Sequence, residues 1–526
     1  MKTTRQMKAG QMVSRYSSLR TTLVFEGLLV GVFAGLVSVL YRYALGKADE
    51  IRGGVLSLCA GSPLRVAGWF GALLVLAVLV SLLMKWEPMI SGSGIPQVEA
   101  EIAGYLKPHW LRVILGKIVG GFLCIVGGLS LGREGPSIQL GGMTGKGISR
   151  ILGRFRLEEH FLITCGASAG LSAAFNAPLA GVMFALEEVH KNFSAMVLLS
   201  CMAASLVADY ISNGIFGMNP VFSFTVDEMI PLSGYVYILL LGLLCGVCGV
   251  FYNKVLLASQ TAYKKIGFLP QAVRLMIPFL CAGVLGFVMP DVLGGGHGMI
   301  AKLYSGNLVL SSILVMLLVK FLFSMVSFGS GAPGGIFFPL LVLGAYIGGA
   351  YGTALVDWLG FDRELVANLI IIAMAALFSA IVRAPVTGIV LISEMTGSFS
   401  HLLSLSTASL AAYIVAELLR SKPVYESLTE RLLAGKNVKT AAGKARAKSL
   451  ITSVIEQGSE ADGCMIQDLG LPSACLVVSV TRGDEELIPR GKLKLKAGDT
   501  LATLVSERDL AAMESVLKHK VSFEEG

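Results

Sequence analysis

Three short segments place glycine, proline and a few polar groups inside otherwise apolar sequence. They are Gly92-Ser93-Gly94-Ile95-Pro96, Gly132-Arg133-Glu134-Gly135-Pro136 and Gly334-Gly335-Ile336-Phe337-Phe338-Pro339. In each, a glycine-rich stretch runs into a proline where the first turn of a helix tolerates one. Helix N-termini present unpaired N–H groups and about half a unit of positive charge. Such ends hold a small anion such as chloride without a buried cation, which would bind too tightly for turnover. The Ser93 hydroxyl adds a neutral donor. The same glycines would also suit close helix crossings, but three Gly–Pro segments in a duplicated body favour an ion site.

The acidic residues add a second kind of chemistry. Glu134 sits inside the second segment, next to Arg133. Adjacent helical residues do not face each other, and acids within a membrane are functional by default. Glu187 and Glu188 lie in MFALEEVHKN, at the end of an apolar run. For Glu187 a solvated helix end and a structural role stay equally open. Glu99 has two readings as well, a buried acid on a proton route or a helix-stabilising group. Lys117, Lys320, Arg383 and Glu394 lie in apolar runs and are expected to pair with carbonyls or with one another. Lys117 and Lys320 would also raise the potential felt by an entering anion. Cys245 and Cys248 form a C-x-x-C without neighbouring ligands, which reads as small apolar helix residues and no metal. No metal cluster, nucleophile–base arrangement or phosphate-binding loop is visible, so a membrane enzyme is a remote alternative and no cofactor is expected.

The elements that must position these groups are membrane elements. The chain has 526 residues, of which 43 are Lys or Arg and 35 Asp or Glu, so charged residues reach only 15% where about 25% is usual. Hydrophobic residues reach 54% and mean hydropathy is +0.72. A soluble chain, a disordered one and a disulfide scaffold are excluded on these figures. The deficit is uneven. Residues 1–21 carry five bases and no acid, residues 22–420 are about 11% charged, and residues 421–526 about 28%. The sequence therefore divides into a basic N-terminal tail (1–21), a membrane body (22–435), a linker (436–449) and a polar C-terminal domain (450–526). No small-residue cleavage site follows Leu23–Leu40, which predicts an uncleaved first helix and, by the positive-inside rule, a cytoplasmic N-terminus. The net charge of +8 flanks apolar segments and calls for no nucleic acid.

Apolar stretches recur through the body, several broken by Gly or Pro and others too long for one crossing of about 20 residues. Broken helices in lipid are tolerated only where protein or a water-filled cavity covers the freed backbone. An internal repeat runs through this pattern. Gly92-Ser-Gly-Ile-Pro96 has a counterpart in Gly294-Gly-Gly-His-Gly298, and Gly132–Pro136 one in Gly335–Pro339. Lys117 aligns with Lys320, and Ala177–Gly181 with Ala384–Gly388. Glu187 or Glu394 follows six residues after each of the last pair. The order and the nearly constant offset indicate duplicated halves, about 22–215 and 234–430. In transporters such halves are often inverted, with the substrate at their interface. His297, in the counterpart of the Ser93 segment, reads as a loop or interface residue.

These segments resemble the three signature segments of the CLC chloride channel and transporter family. The resemblance runs from roughly residue 20 to 430 and includes AFNAPLAG at 174–181 and SKPVYES at 421–427. It implies an all-α polytopic fold with an inverted repeat of about eighteen broken or tilted helices, and a homodimer with one pore per subunit. It implies that Ser93 and Tyr425 are side-chain ligands of chloride and that the amides of Ile336 and Phe337 complete the site. By residue type alone Tyr425 would read as an interfacial aromatic. Ser at position 93 goes with chloride preference in this family, and the intact GREGP is unlike the variants associated with fluoride. Glu134 matches the external gate and proton carrier. Glu188 matches the internal proton-transfer glutamate of the exchangers, which the channels lack. Proton-coupled chloride antiport is the implied activity, with a passive CLC-type channel as the alternative. Gly92, Gly94, Pro96, Gly132, Arg133, Gly135, Pro136 and Gly335 are the supporting positions around the anion site.

After the basic linker the pattern alternates strands at Leu450–Ile455, Ala474–Thr481 and Thr500–Val505 with a helix near Glu507–Lys518. GLPSACLVVSVTRGDEELIPRG and LKAGDTLATLV resemble the small α/β regulatory C-terminal domain of potassium-uptake regulators, TrkA-C or RCK-C. That resemblance implies a prokaryotic plasma membrane, a cytoplasmic C-terminus and a small regulatory ligand. A cyclic dinucleotide is one such ligand; a purely dimerising cap is the other reading.

Overall fold

The structure is a computed structural model describing residues 9–191, 193, 195–222, 230–305, 308–435, 448–471, 475–483, 485–506 and 520–521. It divides into two units, residues 1–432 and 433–526. Seventeen α-helices are found among the described residues, and eight helical segments are long and apolar enough to cross a membrane.

The first half holds α1 (Ala9–Cys59), α2 (Pro63–Trp86), α3 (Ile95–Ile102), α4 (Trp110–Val126), α5 (Glu134–Ile151), α6 (Arg156–Phe175), α7 (Pro178–Phe184) and α8 (Ala195–Phe216). The second holds α9 (Tyr235–Lys265), α10 (Gln271–Val288), α11 (His297–Tyr304), α12 (Leu310–Gly329), α13 (Phe337–Leu359), α14 (Val366–Val382), α15 (Pro385–Thr396) and α16 (Leu402–Leu418). The two sets match helix for helix, and α17 (Val424–Gly435) follows without a counterpart. Residues 9–21 of the basic tail already form the start of α1, so the helix begins before the apolar run does.

Local chemistry explains where the helices break. The apolar run 161–186 ends its first helix at Asn176, left-handed at φ 52°, and restarts at Pro178. The run 366–396 does the same at Arg383, φ 71°, and Pro385. Proline cannot continue a helix, and the left-handed residue closes the preceding one. Gly94, at φ 98°, turns the chain into α3; a methyl group there would lie 2.7 Å from the Gln139 Cβ. Packing is closest between α5 and α6, where Gly141 and Gly166 let the two backbones touch.

The halves meet at their own counterparts. Gly132 N donates to Gly335 O at 2.7 Å and Gly335 N donates back to Gly132 O at 2.8 Å. Two equivalent residues exchanging equivalent bonds mark the approximate two-fold of the repeat.

The C-terminal unit is a four-stranded antiparallel sheet in the order β1 (Lys448–Val454), β4 (Thr500–Ser506), β2 (Cys475–Arg482), β3 (Glu485–Leu487). Its core gathers Ile455, Leu469, Val477, Val480, Leu495 and Leu501. Arg482 makes a two-pronged bond to Asp499, 2.8 Å to each oxygen. The helix expected near 507–518 and most of the linker lie outside the described residues.

Candidate functional site

The openings of α5 and α13 face each other across the Gly132–Gly335 bridge. Each opening leaves first-turn amides, including those of Ile336 and Phe337 at the start of α13, without an acceptor inside the helix. Glu134 is the first residue of α5 and is completely buried. Its carboxylate lies against Gly132 and is faced by the amides of Arg133, Glu134 and Phe338, with no hydrogen bond closed to either oxygen. An acid thus sits in the field of both helix ends. Arg133 Nε stands 3.8 Å from Glu134 Oε1, beyond hydrogen-bond length.

Ser93 joins them because Gly135 has no side chain. A methyl at Gly135 would collide with Ser93 Oγ, so the hydroxyl rests directly against the opening of α5. Tyr425 arrives through aromatic contacts. Its ring meets Phe184 edge-on at 6.3 Å, and Phe184 meets Phe337 at 5.8 Å. Ser93 Oγ and the Tyr425 hydroxyl are both buried without a hydrogen-bond partner. An unpaired buried hydroxyl costs about 1–3 kcal/mol, so Ser93 at the opening of α5 and Tyr425, joined to Phe337 through Phe184, suit a site built to receive an acceptor. A chloride ion is such an acceptor. Two cavities adjoin the cluster. One of about 180 Å³ is lined by Gly132, Arg133 and His297, and one of about 250 Å³ by Gly92, Ser93 and Pro96.

Glu188 does not join this cluster. A π-helical turn, Ala185–His190, extends α7 and carries it into a second buried group beside Glu99. Glu99 Oε2 accepts from Thr429 Oγ1 at 2.9 Å and stands 4.0 Å from Lys191 Nζ. Thr429 lies four residues beyond Tyr425, one turn along the same face of α17. The unpaired helix therefore touches both the hydroxyl cluster and the acid pair.

Residues 75–417 match the family described as Voltage gated chloride channel, the CLC family. The chain belongs to it. Residues 450–518 match the TrkA-C domain. The CLC body is 35% identical over 438 residues to the H(+)/Cl(-) exchange transporter ClcA of Vibrio campbellii, covering 80% of this chain and 92% of that one. It is 32% identical over 458 residues to ClcA of Citrobacter koseri, covering 84% and 96%. The structure of a slow cyanobacterial Cl-/H+ antiporter matches with a TM-score of 0.75 at 31% identity, over 79% of this chain and 99% of the other. A CLC-type fluoride/proton antiporter shares the fold at 23% identity and a TM-score of 0.65.

Within this CLC chain the other charges singled out in the apolar runs bind backbone groups. Lys117 donates to Ile90 O at 2.9 Å and Gly92 O at 2.6 Å, and Lys320 to Val292 O at 2.9 Å and Gly294 O at 2.8 Å. Glu187 is a helix cap, accepting from Thr387 N and Oγ1 at 2.8 and 2.7 Å. Glu394 accepts from Leu179 N and Ala180 N at 3.0 and 2.8 Å. Arg383 binds Tyr413 O, Ser421 O and Glu417. His297 opens α11 and stacks on Phe338 at 3.7 Å.

Two groups near the site carried no sequence signal. Thr429 reads as an ordinary polar helix residue. Tyr252 sits in an apolar run beside Asn253, which ties α9 to Lys422 O, and its hydroxyl is buried without a partner near Tyr425.

Proposed function

We propose that this CLC chain is a proton-coupled chloride antiporter in a prokaryotic plasma membrane. Chloride is held by Ser93, Tyr425 and the amides of Ile336 and Phe337. Ionised Glu134 competes with it for the two helix ends, because both are anions drawn to the same amides. Protonated Glu134 loses that attraction, leaves the site to chloride and takes the proton with it. Glu188 passes protons to and from the opposite face. The observation that carries the reading is a second buried acidic group, the pair Glu188 with Glu99, linked through Thr429 and α17 to the chloride cluster. A passive pore has no use for it. The antiporter names of the relatives at 32–36% identity support the same choice.

The protein is a homodimer with cytoplasmic termini, and the TrkA-C domain takes a small ligand, a cyclic dinucleotide among the candidates, that adjusts transport. Glu134→Gln tests the gate in proteoliposomes. The variant should carry chloride with no proton movement and no dependence on pH. A variant that folds, binds chloride and carries none would contradict the gate.

A further inference from the structure

The cavity of about 250 Å³ on the Ser93 side holds more than an ion path needs. Beside Gly92 and Ser93 it is lined by Lys264, Arg274 and Arg431, from α9, α10 and α17, and by no acidic residue. Arg431 is partly committed, donating to Leu257 O at 2.7 Å. Arg274 Nε is buried with no hydrogen-bond partner, and Lys264 is exposed. The polar groups of Gln97, Gln260 and Ser330 complete the wall.

Chloride transport does not explain three cations here. The buried lysines nearest the signature segments, Lys117 and Lys320, are bound to carbonyls, and the proposed chloride ligands are hydroxyls and amides. In a wet mouth a monovalent ion gains only about 1 kcal/mol from a cation at 4 Å. A polyvalent oxyanion gains that from each cation for every charge it carries, and the guanidinium forks match its geometry with paired bonds. The cavity lies below the range of about 300–1,000 Å³ usual for drug-sized ligands, so it fits a small inorganic anion.

We infer that this vestibule binds a polyvalent oxyanion of the phosphate class through Arg274, Lys264 and Arg431, and that the bound ion blocks chloride access to Ser93. The blocking half of the inference rests on the transport reading above; the binding half does not.

The test uses inorganic pyrophosphate with the full-length protein. Calorimetry should show saturable binding that Arg274→Gln combined with Lys264→Gln weakens about tenfold or more. Arg274→Lys, which keeps the charge but loses the fork, should fall between. In proteoliposomes, pyrophosphate on both sides should slow chloride flux in the wild-type protein and much less in the double variant. Without pyrophosphate the two should carry chloride within about twofold of each other, which also shows that the variant folds. Absence of binding, or equal binding by both proteins, would overturn the site. Binding without slowed flux would overturn the blocking role, and a double variant slowed only at low ionic strength would mark the cations as a chloride-gathering surface. If the wild-type protein carried no chloride at all, the transport reading would fail while calorimetry still decided the site.

Discussion

The two halves of the membrane body share a scaffold down to single hydrogen bonds, yet they differ where the proposed chemistry lies. Lys117 binds the carbonyls of residues 90 and 92; Lys320 binds those of 292 and 294, each 202 positions on. Glu187 caps residues 386 and 387, and Glu394 caps residues 179 and 180, each 207 positions back. Both of these caps cross to the other half, so that α7 and α15 each complete the other's N-terminus. At the site the match stops. Ser93 has Gly295 as its counterpart, and Glu134 has Phe337. Duplication supplied two facing helix ends, but one hydroxyl and one carboxylate stand on one side only. At the proposed site the first half thus adds a hydroxyl donor and a competing carboxylate, and the second the amides of Ile336 and Phe337 within an aromatic wall. Lys117, Lys320, Glu187 and Glu394 obey the two-fold and hold the frame; Glu134 and Glu188 break it and are the acids assigned to transport.

That division can be attacked at several points. The largest effect belongs to Glu188, which has no acidic counterpart: 188 plus 207 is Met395. Glu188→Gln should abolish proton movement and leave chloride flux within about twofold, measured by parallel pH and chloride electrodes on one proteoliposome sample. Loss of both fluxes in a folded variant would make Glu188 a frame residue instead. Thr429→Val removes the bond to Glu99 from the helix that has no counterpart. It should cut the proton-to-chloride ratio severalfold without changing the chloride affinity. The crossed caps should behave as a matched pair. Glu187→Gln and Glu394→Gln each weaken charge-assisted bonds to a helix N-terminus, and each should cost about 1–3 kcal/mol. Thermal unfolding in detergent should drop by similar amounts, and a large inequality would break the symmetry argument.

The smallest effect lies outside the membrane. Hydrogen bonding to Arg482 holds the Asp499 carboxyl below its ordinary value of 3.8. A carboxyl depressed on folding stabilises the folded state fully above the unfolded value. That contribution is lost as pH falls through the lower folded value. Hydrogen exchange in β4 of the full-length protein, corrected for intrinsic rates, should therefore accelerate below about pH 4. Asp499→Asn should remove this acid step and weaken protection at neutral pH.

Much of this was legible in the sequence because helix ends leave local marks. The Gly–Pro segments and the repeat offsets are written in neighbouring residues, and runs too long for one crossing foretold breaks that the structure puts at Asn176 and Arg383. The roles of Glu187 and Glu394 were not, since each cap joins residues about 200 positions apart and only the fold shows the crossing. Thr429 was invisible for the same reason, with its partner Glu99 lying 330 positions away. Lys264, Arg274 and Arg431 looked like ordinary charges flanking apolar runs. Their convergence on one cavity depends on three helices that the sequence does not place together.

The central claim is that the groups departing from the two-fold convert an anion path into an exchanger. It is tested most directly by proteoliposomes holding the wild-type protein under a chloride gradient, with no proton gradient and the membrane potential clamped. The account predicts that protons move uphill, opposite to chloride, and that Glu188→Gln stops them. Brisk chloride flux with no proton movement in the wild-type protein would contradict it.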